Sequence, residues 1–74
     1  MKTNKELLKS LNKEYAELKE KLDKALDFSD GHDFNTLPDE HRRLLLRQIK
    51  EMNDYLMTLA DRMKYIKNTM MEDN

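Results

Sequence analysis

The chain has 74 residues, 38% hydrophobic and 39% charged, with 14 Lys and Arg against 15 Asp and Glu, enough for one small domain spanning 1–74. One Gly, one Pro and no Val or Trp leave too few turn formers and β-branched residues for an all-β fold, while the large, regularly spaced apolar residues argue against disorder. Near-neutral charge also argues against a general nucleic-acid binder, which is usually basic.

The first periodic segment runs from about residue 4 to 28. Leu8, Leu11, Tyr15, Leu18, Leu22 and Ala25 alternate spacings of three and four. That heptad seam places all six side chains on one stripe of a helix, widened by Leu7, Leu26 and Phe28. Between Lys5 and Phe28 there is no Gly, Pro or Thr, and the polar positions are mostly Lys and Glu, good helix formers. Glu17–Lys21 and Glu20–Lys24 stand in the favourable i,i+4 order.

Residues 29–37, SDGHDFNTL, break the pattern. Asp30-Gly31 and Asn35-Thr36 are turn chemistry, and the single glycine suits a left-handed or C-cap position. Phe34 and Leu37 should fold back over the end of the helices. Asp30, His32 and Asp33 could in principle hold a divalent cation, but their spacing matches no metal loop, and ordinary turn chemistry explains them. No metal and no cofactor is expected.

The second segment runs from about residue 38 to 71. Pro38 fits a first helical turn, Thr36 with Asp39 resembles a capping box, and Asp39 and Glu40 suit the positive end of the helix dipole. Leu45, Ile49, Met52, Leu56, Leu59, Met63, Ile66 and Met70 form an unbroken heptad series. Leu44, Gln48, Tyr55 and Arg62 make a second row beside it. The tail, Glu72-Asp73-Asn74, should fray.

A nine-residue connector between two helices predicts an all-α fold, a two-helix antiparallel hairpin. Equal rise from the turn would set Leu22 beside Leu45, Leu11 beside Leu56 and Leu8 beside Leu59. Met63, Ile66, Met70 and Met71 would then overhang the start of the first helix. Two helices make a thin core, so self-association into a helical bundle is expected. The second-helix series from Leu45 to Met70 is the expected oligomer interface.

His41, Arg42, Arg43 and Arg47 form the only basic cluster, followed by Lys50. Arg43, Arg47 and Lys50 share a helical face, close to a helix N-terminus whose free N–H groups favour anions. Arginine grips phosphate oxygens in a bidentate way, and Tyr55 or Phe34 could stack a base. The plainer reading is a solvated face paired with Asp39, Glu40, Glu51 and Asp54. Likewise Gln48, Tyr55 and Arg62 would fix register or partner choice, or else line a pocket between subunits. The methionines at 52, 57, 63, 70 and 71 would be core and interface, or an adaptable binding surface.

No nucleophile elbow, P-loop, HExxH or Gly-rich loop is present, so an enzyme is not expected. With no Cys there is no disulfide, thiolate metal site or thiol nucleophile. No apolar run approaches the roughly 18 residues of a membrane span. MKTNKELLKS lacks the apolar core of a secretory signal. The expectation is a cytoplasmic protein, in the host cell if phage-encoded.

The run DFNTLPDEHRRLLLRQIKEMNDYLMTLADRM resembles a family of very small phage and prophage proteins related to a crAss-like phage protein. The pattern that carries the resemblance falls on Leu44, Leu45, Gln48, Met52, Tyr55, Leu59 and Arg62, and the similarity covers about 60 residues. It implies no enzymatic activity. By analogy of class it implies a binding role, either an oligomer that sequesters an immune nucleotide signal or a blocker of a host protein. The function expected is therefore phage counter-defence by binding a small anionic ligand. The rival is a protein-interaction module that inhibits a host protein through its Met-rich helical face, and a third reading is a purely structural coiled coil.

Overall fold

A computed structural model describes residues 3–72, all helices and connecting turns, with no strand among them. Helix α1 spans Asn4–Ser29, α2 is a single turn over His32–Asn35, and α3 spans Asp39–Glu72. The molecule is a rod of 55 × 20 × 15 Å. The expected two-helix arrangement is thus corrected to three helices, the connector containing a helical turn of its own. Asp73 and Asn74 of the tail expected to fray lie outside the described residues, and α3 continues through Glu72.

Helix α1 begins at a Thr-x-x-Glu box. The Thr3 hydroxyl accepts from the Glu6 N–H at 3.2 Å and donates to the Glu6 carboxylate at 3.1 Å, satisfying one of the free donors of the first turn. At the other end the Asp30 N–H donates to the Leu26 carbonyl, and the Gly31 N–H to that of Phe28. Asp30 is right-handed, and Gly31 is extended at φ −90°, ψ 170°. The left-handed glycine cap expected from sequence is therefore absent. The chain leaves α1 through an ordinary right-handed residue and turns directly into α2, so no positive φ is needed.

The expected capping of α3 by Thr36 is also corrected. The Thr36 hydroxyl donates to the Asp33 carbonyl at 2.6 Å and so closes α2 instead. Pro38 precedes α3, its carbonyl accepting from the Arg42 N–H, a position where its own missing N–H costs nothing. Phe34 and Leu37 are half-buried, and Phe34 meets Phe28 edge-to-face with ring centroids 6.4 Å apart. The connector is packed, as its two large apolar residues imply.

The long pair is antiparallel. Leu11, near the start of α1, clusters with Leu59, Met63 and Ile66 late in α3, while Leu22 clusters with Ile49 and Leu56. The seam is wholly apolar, with no buried polar side chain among the described residues. Leu59 is its most enclosed member, 1% exposed, a burial worth about 1.5–3 kcal/mol.

The register differs from equal rise by about one turn. Leu11 meets Leu59 and Met63 rather than Leu56, and Leu8 packs against the cluster that Ile66 and Met70 complete. The helical turn in the connector lets α3 start about one turn beyond the end of α1. The far ends consequently lie nearly flush. Met63 and Ile66 are buried under α1 rather than overhanging it, and Thr3, Lys5 and Leu8 lie beside Lys67, Met70 and Met71.

Candidate functional site

The arginines expected to grip an anion sit in the first three turns of α3, and each is engaged by a carboxylate one turn away. Arg42 pairs with Asp39, Arg43 with Glu40 through two of its nitrogens, Arg47 with Glu51 at 2.9 Å, and Lys50 with Asp54 at 3.1 Å. Arg43 holds the Glu40 carboxyl below its usual range, and Glu40 in turn raises the Arg43 guanidinium. All of these pairs are at the surface, where such contacts are worth little and yield easily to a better anion.

The candidate residues fall into two groups. Phe34, His41, Arg42 and Arg43 gather at the connector end. Tyr55 lies 12 residues beyond Arg43, about 18 Å along the helix axis. Phe34 and Tyr55 therefore cannot serve the same base within one chain, and the Phe34 ring is already engaged by Phe28.

Tyr55 instead lines a groove of about 370 Å³ between α1 and α3, with Glu14, Glu17, Leu18 and Lys21 on one wall and Gln48, Glu51 and Met52 on the other. The floor is apolar and the rim charged. The Tyr55 hydroxyl donates to the Glu14 carboxylate across the groove, while about half of the residue stays exposed. That hydrogen bond raises the Tyr55 phenol above its ordinary value. The Glu14 charge and partial desolvation add to the shift, and the Arg62 charge opposes it. Arg47 stands at the groove's edge through Glu51, and both border a smaller recess with Leu44 and Gln48. Arg62 lines a further recess on the same side, with Leu7, Thr58 and Tyr65.

The α1 wall is not among the candidate residues legible from sequence, which all lie in the connector or on α3. A signal was there: Glu14, Glu17 and Lys21 sit three, four and seven residues apart beside the apolar stripe. The expected Glu17–Lys21 pair is replaced by Lys13–Glu17 at 4.0 Å, whereas Glu20–Lys24 forms at 3.1 Å. Lys21 consequently faces the groove without a carboxylate partner among the described residues.

Of the eight residues expected at an oligomer interface, Ile49, Leu56, Leu59, Met63 and Ile66 are buried and Leu45, Met52 and Met70 are half-buried against α1. Their faces are already occupied within the chain. Met57 and Met71 are the well-exposed methionines among the described residues. No group of three or more His, Asp or Glu residues is placed to hold a metal ion, and no helix is long and apolar enough to cross a membrane, both among the described residues.

Residues 5–65 match the family model described as Sequestin. The chain belongs to the Sequestin family. That name describes a binding, sequestering protein rather than a catalyst. No curated protein and no solved structure matches the chain. The Sequestin match takes in the α1–α3 groove, including Glu14, Lys21, Gln48 and Tyr55, and also Arg47 at its edge, the connector and the first turns of α3.

Proposed function

We propose that this chain is a non-enzymatic phage or prophage binding protein that sequesters a small anionic ligand, a signalling nucleotide, and so blunts a host defence signal. It acts in the cytoplasm as an oligomer of hairpins, each a single domain. The observation that carries this reading is the Sequestin match across the whole length of the groove. The groove chemistry supports a nucleoside. Carboxylates at Glu14, Glu17 and Glu51 accept from ribose hydroxyls and exocyclic amines, Gln48 offers both donor and acceptor, and the half-exposed Tyr55 ring offers a stacking face. Three carboxylates against Lys21 make the groove a poor place for phosphate, which belongs at its edge. There Arg47 exchanges Glu51 for phosphate oxygens, and Arg43, one turn earlier on the same face, reinforces it.

The test is native mass spectrometry of protein freshly purified from phage-infected cells whose defence system is active, followed by titration with the nucleotide that it identifies. An oligomer carrying extra mass that is lost on denaturation is expected. Arg43→Glu with Arg47→Glu should abolish binding and leave helicity intact. Undiminished binding by that variant overturns the phosphate assignment, and absence of any nucleotide from such cells overturns the ligand class.

A second reading is favoured by one observation. Leu46, Met57 and Met71 are exposed on the side of α3 away from Tyr55, Met57 at 60% and Met71 at 74%. A host helix could pack there. Met57→Lys with Met71→Lys leaves the seam whole, and loss of a host partner from pull-downs with that variant would favour the inhibitor reading.

A further inference from the structure

Two observations bear on what covers the Tyr55 side of the molecule. The first is a stripe. Leu44, Gln48, Glu51, Tyr55, Thr58, Arg62 and Tyr65 continue one heptad row along α3, about a quarter-turn of the helix from the buried seam. All seven are exposed, Leu44 at 46% and Tyr65 at 72%. Apolar and aromatic groups at both ends and the middle of a polar row are not what a solvated face requires.

The second is charge. Residues 17–55, the connector half of the rod, hold ten carboxylates against seven cations, the arginines at the start of α3 included. At the opposite end, residues 3–16 and 56–72 together hold six cations against four carboxylates. Among these, Lys5, Lys9, Arg62, Lys64 and Lys67 have no carboxylate partner among the described residues. The rod is therefore electrically polar along its length, acidic at the connector and basic at the open end.

We infer that the Tyr55 stripe of α3 is the docking surface for a second copy of this chain, laid antiparallel. The row is self-complementary about Tyr55, as a two-fold interface demands. Gln48 lies seven residues before Tyr55 and Arg62 seven after, while Leu44 lies eleven before and Tyr65 ten after. In the antiparallel pair Tyr55 meets its own copy, Leu44 meets the partner's Tyr65, and Gln48 and Glu51 meet the partner's Arg62. The acidic connector of each rod then lies beside the basic open end of the other, whereas a parallel pair would set like charge on like. The row spans about 32 Å of helix. With the α1 wall alongside it, that face approaches the ~800 Å² per partner of a standard interface. Each groove would gain the partner's Arg62 at its Gln48–Glu51 wall, a second cation beside the chain's own Arg47.

This inference rests on the self-associating part of the function proposed above but not on the ligand. The chain has no Cys, so single cysteines report cleanly. Gln48→Cys and Arg62→Cys chains are mixed without ligand and treated with a short bismaleimide, with sedimentation and circular dichroism run in parallel. The expected result is a cross-linked heterodimer in the mixture, little from either chain alone, unchanged helicity, and a native species of twice 8.9 kDa. Its dissociation constant should rise at least 10-fold between low and high salt as the charges are screened. A folded monomer at tens of micromolar, Gln48→Cys linking to itself, or a Met57→Cys chain linking to itself in place of the mixed pair would each overturn it. If nucleotide fails to bind while the mixed link forms, the ligand reading falls and the docking surface stands.

Discussion

The Tyr55 hydroxyl and the Glu14 carboxylate are joined by a hydrogen bond that ties the middle of α3 to the middle of α1 across the groove. It links residues 41 apart in sequence and bridges the walls of the cleft in which the proposed ligand would sit.

Removing the Glu14 charge should therefore be legible at Tyr55. The carboxylate raises the phenol from its ordinary value near 10.0. A raised folded-state value stabilises the fold fully below the unfolded value, and that contribution is lost as pH rises through the folded one. Glu14→Gln should move the midpoint of the Tyr55 Cζ resonance to lower pH in a ¹³C-tyrosine titration. An unmoved midpoint would show that the two groups are not coupled in solution.

At acid pH the sign reverses. Arg43 depresses the Glu40 carboxyl, so the pair stabilises α3 above the unfolded carboxylate value and loses that contribution as pH falls through the depressed one. Both groups are fully exposed, so the effect is small. Glu40→Gln should flatten the acid limb of the helicity curve at low salt, with little change near neutrality.

The seam should respond far more strongly than the flanks. Leu59→Ala removes the most enclosed side chain and should cost about 2–5 kcal/mol in urea unfolding. Leu46→Ala, on an exposed flank, should stay within about 0.5 kcal/mol. Equal effects at the two sites would mean that α1 does not cover α3 as described.

Helix ends give two finer tests. Thr3→Ala deletes the α1 cap and should cost about 1 kcal/mol, read as a lower thermal midpoint. Gly31→Ser should instead stabilise by about 0.5–1 kcal/mol. The backbone there is extended, a Cβ would meet the Phe28 carbonyl oxygen at an ordinary 3.4 Å, and the new hydroxyl can cap α2. A loss of stability would imply a left-handed residue after all.

Much of this architecture is legible in the heptads. The series from Leu45 to Met70 and that from Leu8 to Ala25 name the facing stripes correctly, because apolar burial dominates helix pairing. The register is less legible. SDGHDFNTL reads as a loop, since a four-residue helix has no periodicity to detect, and its compactness moved the pairing by about one turn. The site is less legible again. Arginine spacing along α3 says nothing about which carboxylates lie one turn away, and the groove's other wall comes from α1, brought near only by folding.

All seven ion pairs found among the described residues span three or four positions within one helix. None of them joins α1 to α3, so fixed charge firms each helix separately, while the two helices meet through the apolar seam and the Tyr55–Glu14 hydrogen bond. Outer-surface charges can accordingly drift in evolution without disturbing the pairing, whether singly or by exchange of both members of a pair. Chains of this kind can renew their outer face and keep the same scaffold beneath it.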